Sequence, residues 1–248
     1  MRADSGSELT TPAAGHNTPD WIILTLACVA QFMVLLDVSI VNVALPSIKS
    51  SLGFSQAELQ WVLNAYTLTF AGFLLLGGRI ADLFGRRRVF LLGLTVFSLA
   101  SLLGGFAQDQ AMLIGARAVQ GLGGAILSPT SLTILTTTFR EPKARARAMG
   151  IWSAVAGAGG ATGALLGGIL TEELSWRWIL FINIPIGIVA FVAGRVFLQE
   201  SRAQGERQPL DVPGAVLVTL GLSTLVYGVV RTTTVGWGSW QTLVSFGL

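Results

Sequence analysis

Apolar runs of about twenty residues recur along this chain, each long enough to cross ~30 Å of hydrocarbon as one helix. They cover approximately residues 21–44, 59–78, 89–106, 111–139, 148–170, 178–198 and 212–231. Hydrocarbon offers no water to backbone N–H and C=O groups, so only helices or a closed barrel can span it. Runs of this length select helices, because a barrel strand needs only about ten residues. Length alone would fit one or two soluble domains, but 52% hydrophobic residues and a mean hydropathy of +0.67 overrule that. The chain reads as an all-α polytopic membrane protein. Residues 1–20 form a polar, disordered tail, 21–198 a six-helix transmembrane bundle, and 199–211 a charged linker. Residues 212–248 hold a further helix and the start of an eighth run that stops at Leu248. From that stop a fragment or a shortened reading frame is expected.

The loops decide orientation. Arg2, Arg79, Arg86, Arg87, Arg88, Arg140, Lys143, Arg145, Arg147, Arg195, Arg202 and Arg207 all fall on one side of the expected membrane. Lys49, Arg177 and Arg231 fall on the other, and Arg117 lies within a span. Basic residues are retained on the cytoplasmic face, so the N-terminus is expected in the cytoplasm of a multi-pass plasma-membrane protein. The pI near 9.6 thus reflects topology and not a nucleic-acid face. A cleaved signal is not expected, because the first apolar run is too long and acids precede it.

Several chemistries lack their residues. The single cysteine, Cys28, lies in an apolar run, and the single histidine, His16, lies in the tail. That leaves no disulfide framework, no metal cluster and no nucleophile with a base. No Gly-rich loop ends in Lys-Ser or Lys-Thr, so nothing supports ATP-driven pumping. An enzyme, a cofactor and a metal are therefore not expected.

Four constellations stand out. The first is the turn Gly77-Gly78-Arg79-Ile80-Ala81-Asp82-Leu83-Phe84-Gly85-Arg86-Arg87-Arg88, where an acid sits among bases and glycines permit a sharp turn. The second is Asp37 in Leu36–Pro46. An ionisable group in a span normally faces a cavity or partner, so a proton or substrate path is weighed against a plain hydrogen bond to a neighbouring helix. Asn42, about 140° further round the helix, is given a packing role. The third is Arg117, with Gln120 one turn along the same face. Such an arginine must find an acid, carbonyls or water, or else snorkel to the interface. The fourth is the run of small residues in the fifth span. Gly159, Gly163 and Gly167 form one ridge and Gly160, Ala164 and Gly168 another, which lets a helix approach to backbone contact. Trp176-Arg177-Trp178 and the run to Pro185 read as an interfacial belt and a bend, hence as architecture.

In order and spacing these motifs, over roughly residues 35–190, resemble the major facilitator superfamily and, within it, the 14-helix drug:proton antiporter branch. The pattern Gly78-x3-Asp82-x2-Gly85-Arg86-Arg87-Arg88 is similar to the superfamily's motif between helices 2 and 3. Leu36–Pro46, Arg117 with Gln120-Gly121, and Gly150-x8-Gly159-x3-Gly163-Ala164-x2-Gly167-Gly168 are similar to motifs of helices 1, 4 and 5. Two positions depart from the pattern. Ala164 stands where a proline is usual, and Leu83 where a base is usual.

The resemblance implies a six-helix N-terminal bundle, one bridging helix and a truncated next one, with a C-terminal bundle as the missing partner. It implies proton-coupled efflux of a lipophilic or cationic small molecule. Asp37, Arg117 and Gln120 would serve proton coupling, and Gly78, Asp82, Gly85, Arg86 and Arg87 a cytoplasmic latch favouring the outward-open state. Gly150, Gly159, Gly163, Gly167 and Gly168 would provide packing. Import of a small metabolite, allowed by the straighter helix at Ala164, and a non-transporting membrane protein remain the alternatives.

Overall fold

The computed structural model describes residues 18–202, 212–236, 238–240 and 244. Most of the expected tail, much of the linker and most of the eighth apolar run lie outside the described residues. Within them the chain is helical: α1 (Asp20–Leu52), α2 (Gln56–Phe84), α3 (Arg86–Gly105), α4 (Gln110–Thr138), α5 (Pro142–Glu173), α6 (Trp178–Phe181), α7 (Asn183–Phe197) and α8 (Val212–Val235). The first five helices, and α6 with α7 taken together, are each long and apolar enough to cross a membrane.

The helices are longer than the apolar runs because their ends are polar and capped. Gly53 takes a left-handed conformation (φ 68°) to close α1, and its N–H returns to the Lys49 carbonyl. Ser55 and Glu58 form a reciprocal capping box at the start of α2, and the Asp109 side chain caps α4. The second basic loop is largely helix: α5 starts at Pro142, so Lys143, Arg145 and Arg147 stand on its first turns. Proline at a first helical position has no N–H to waste and a φ already set for the helix.

The sixth span breaks where Pro185 is approached. α6 ends at Phe181, Ile182 turns, and α7 resumes at Asn183. Pro185 has no N–H to return to the carbonyl four residues back, so a continuous ladder is unavailable there. Pro129 acts differently. It removes the bond to the Ala125 carbonyl, yet α4 runs on through it. α2 comes in against that spot: a Cβ on Gly77 would strike the Ala125 carbonyl oxygen. The close approach thus belongs to Gly77, whereas a Cβ on Gly78 would make ordinary contact with Pro129 at 3.5 Å.

α1 is the centre of the bundle, packed on α5, α4 and α7, while α2 and α3 flank α4. Of three apolar clusters in the interior, two are large. One gathers Met33, Val34, Phe90, Leu94, Phe97 and Leu127. The other gathers Ile40, Val41, Leu113, Trp176, Ile179 and Leu180. On α1 the two meet at one acidic residue, Asp37.

Candidate functional site

Asp37 is fully buried; two other helices bond to it directly, and two more hold those partners. From α4, Arg117 donates to Asp37 Oδ2 in an ion pair of 2.5 Å, and Gln120 Nε2 donates to Oδ1 at 2.7 Å. From the start of α7, Asn183 Nδ2 donates to the same Oδ1 at 3.1 Å and to Ser101 Oγ of α3 at 3.0 Å. Ser101 in turn donates to the Leu180 carbonyl at 2.8 Å. α2 contributes the Val62 carbonyl, which accepts from Arg117 Nε at 3.2 Å, and the Tyr66 ring, whose centroid lies 4.3 Å from the guanidinium carbon.

Arg117 is 1% exposed, so it does not snorkel. Its planar fork is used on several edges at once: Asp37, Gln120 Oε1 at 2.7 Å, Val62 and the face of Tyr66. A lysine could not make that set from a single ammonium. The arrangement has a chemical consequence. If Asp37 takes up a proton, Arg117 loses its counter-charge but keeps a side-chain carbonyl, a backbone carbonyl and an aromatic face. The charge on the acid can therefore change without stranding the base.

Asn42 lies off this cluster and donates back to the Val38 carbonyl of its own helix. Reasoning from sequence overlooked Asn183, which was grouped with the architectural run around the tryptophans. The signal was present: it is a lone amide in an otherwise apolar stretch directly before a proline-bearing helix. Tyr66 and Ser101 carried no comparable signal, since hydroxyls are unremarkable in a span.

The Gly77–Arg88 segment is barely a loop. α2 ends at Phe84, α3 begins at Arg86, and Gly85 alone makes the corner at φ 108°. A side chain would be strained at that φ, and a Cβ would also strike the Glu200 carboxylate. Asp82 of α2 and Arg86 of α3 pair at 3.1 Å across this corner. The other bases reach the far end of the bundle: Arg87 Nη2 donates to the Arg195 carbonyl at 2.5 Å, and Arg88 pairs with Glu200 at 3.5 Å. Glu200 also accepts the Arg87 backbone N–H at 3.3 Å, placing a carboxylate on the first turn of α3. Glu200 was read from sequence only as part of a linker.

The glycines of α5 divide. Cβ atoms on Gly159, Gly163 and Gly167 would meet the backbone of α1 at 3.0, 2.7 and 3.0 Å, at Phe32, Leu36 and Ile40. Gly150, Gly160 and Gly168 face open space among the described residues. One ridge is therefore spent on holding α1, and the Gly160 carbonyl adds a bond by accepting from Ser39 at 2.6 Å. Leu36 and Ile40 bracket Asp37, so this contact also sets the height of the acid.

Comparison with known proteins gives a consistent picture. The family model of the Major Facilitator Superfamily matches residues 27–248. The cephamycin export protein CmcT of Amycolatopsis lactamdurans is 56% identical over 87% of this chain and 44% of its own length. The puromycin resistance protein pur8 of Streptomyces alboniger is 46% identical over 94% of this chain and 46% of its own. The multidrug resistance protein Stp of Mycobacterium tuberculosis is 40% identical over 92% and 42%. The chain thus spans less than half the length of these relatives. A solved bacterial homologue of the human lysosomal transporter Spinster, inward-facing and unoccupied, shares the fold with a TM-score of 0.62 at 19% identity, over 93% of this chain and 56% of that one.

Proposed function

Because this chain belongs to the Major Facilitator Superfamily, we propose that it is the N-terminal half of a proton-coupled exporter of antibiotics or other lipophilic or cationic small molecules. It is a multi-pass membrane protein, with its N-terminus in the cytoplasm and the plasma membrane as its site. The observation that carries the reading is the buried Asp37–Arg117 pair, whose base keeps other partners when the acid is neutralised. Asp37 takes and gives the proton, and Arg117 and Gln120 hold it in place. The turn around Gly85, with Asp82, Arg86 and Arg87, latches the cytoplasmic side. Kinship with a cephamycin export protein and a puromycin resistance protein supports an antibiotic as cargo. The cavity is completed by a second helical bundle of the kind its longer relatives have, since alternating access needs two bodies that rock about the substrate.

The test is efflux. The chain is produced in a drug-sensitive bacterium alone, and also joined to the C-terminal half of the Amycolatopsis relative. The joined protein should lower accumulation of antibiotic or ethidium in a manner abolished by a protonophore, and Asp37→Asn should remove that effect while insertion persists. Undiminished efflux in Asp37→Asn would remove Asp37 from the mechanism. Efflux indifferent to the protonophore would remove proton coupling.

A further inference from the structure

We propose that Asn183 is a positioning residue that couples the protonation of Asp37 to the helix break at Ile182. The inference deepens the reading above and rests on Asp37 being the group that takes the proton.

In the structure Asp37 accepts only. Oδ2 faces Arg117, and Oδ1 receives two amide N–H groups, from Gln120 and Asn183. A proton arriving on Oδ1 turns that oxygen into a donor, and a donor cannot face two other donors. One amide must give way. Gln120 is held at its other end, because Oε1 accepts from Arg117 at 2.7 Å, and turning it over would set its amino group against the guanidinium. Asn183 has no such tether. Its Oδ1 is buried and has no hydrogen-bond partner among the described residues. Rotation about its last torsion brings that oxygen to the new O–H of Asp37. Ser101 follows by turning its one proton from the Leu180 carbonyl to the amide oxygen, which gives up the bond to Leu180. The unpartnered atom then changes from carbonyl to amino, and the clash of donors is removed.

The location of Asn183 gives the rotation a mechanical outlet. It is the first residue of α7, directly after the Ile182 turn and two residues before Pro185, where the helical ladder is already interrupted. A change of partner there shifts the start of α7 against α1 and α3 without breaking intact helix. The titratable groups facing Asp37 are Arg117 from α4 and Tyr66 from α2. The ionisable residues of α3, α5 and α7 stand at or near the ends of those elements, away from it, and α6 has none.

The test uses the chain in lipid nanodiscs, followed by infrared difference spectroscopy through a pH titration. The protonated Asp37 carboxyl is identified by its absence in Asp37→Asn, and the Asn183 amide by [13C]asparagine labelling with Asn183→Leu as blank. The Asn183 carbonyl band is expected to move with the same midpoint as the Asp37 carboxyl band. Asn183→Leu removes a donor to the charged form, so the midpoint of the Asp37 band should move away from its wild-type position. Ser101→Ala should shift it the same way by less. A purely structural Asn183 would lower yield or thermal stability and leave the midpoint in place.

An Asn183 band that stays still while Asp37 titrates overturns the proposal, as does an unmoved midpoint in Asn183→Leu. Should the leucine variant fail to fold, the labelled wild type and Ser101→Ala decide. Absence of any titrating Asp37 carboxyl would sink this proposal and remove Asp37 as the proton carrier of the transport reading. Coupled bands alongside efflux indifferent to Asp37→Asn would leave this proposal standing and remove Asp37 from the transport mechanism.

Discussion

An arginine that is 1% exposed inside a helical bundle must find its counter-charge and its hydrogen-bond acceptors within the protein. Arg117 finds them on α1, α2 and its own helix. Removing one member of such a pair leaves an uncompensated buried charge, whereas removing both leaves only a packing problem. Arg117→Met should therefore destabilise the bundle by about 3–5 kcal/mol, with much of that recovered in Asp37→Asn/Arg117→Met. Thermal unfolding in detergent reads both, and a double variant as unstable as the single would show that the pair does not act as a unit. Arg117→Lys should be intermediate, because an ammonium reproduces the charge but not the fork.

At the level of helices, small residues decide what can touch what. α5 lies on α1 through Gly159, Gly163 and Gly167, whereas Cβ atoms on Gly160 and Gly168 would enter open space among the described residues. Gly163→Ala should push α1 and α5 apart and cost about 1–3 kcal/mol. Gly168→Ala, in open space, should stay within about 0.5 kcal/mol. Equal losses at the two positions would mean that the α1–α5 contact is not the reason for the glycines. The corner between α2 and α3 follows the same logic with a different cause. Gly85→Ala should destabilise by about 1–3 kcal/mol through its positive φ, and removing the clash with Glu200→Ala should restore only part of it. Full restoration would show that crowding by Glu200, and not the backbone, requires glycine there.

At the scale of the whole molecule, the expected orientation puts most of the basic residues in the cytoplasm. With Cys28 replaced by serine, Ser51→Cys beyond the end of the α1 span should react on intact cells with a membrane-impermeant maleimide. Lys143→Cys on the first turn of α5 should react only after the cells are opened. The reverse pattern would invert the bundle and place the Asp82–Arg86 corner outside the cell.

Much of this was legible in the order of the residues. Spans and the single acid and base within them follow from local rules, because a backbone in hydrocarbon must satisfy its hydrogen bonds within its own helix and a charge there must be explained. The extent of the helices was less legible: polar ends with caps, and Pro142 at the start of α5, read as loop until the geometry shows them helical. Only the tertiary structure decided that Asn183 and Ser101 complete the shell of Asp37, that Glu200 seats on the α2–α3 corner, and that one glycine ridge of the two is used. The physical reason is that these meetings join residues far apart in sequence, and depend on how helices cross and which faces they turn to one another. A single amide, serine or glutamate carries no mark of its partner until the crossing brings them together.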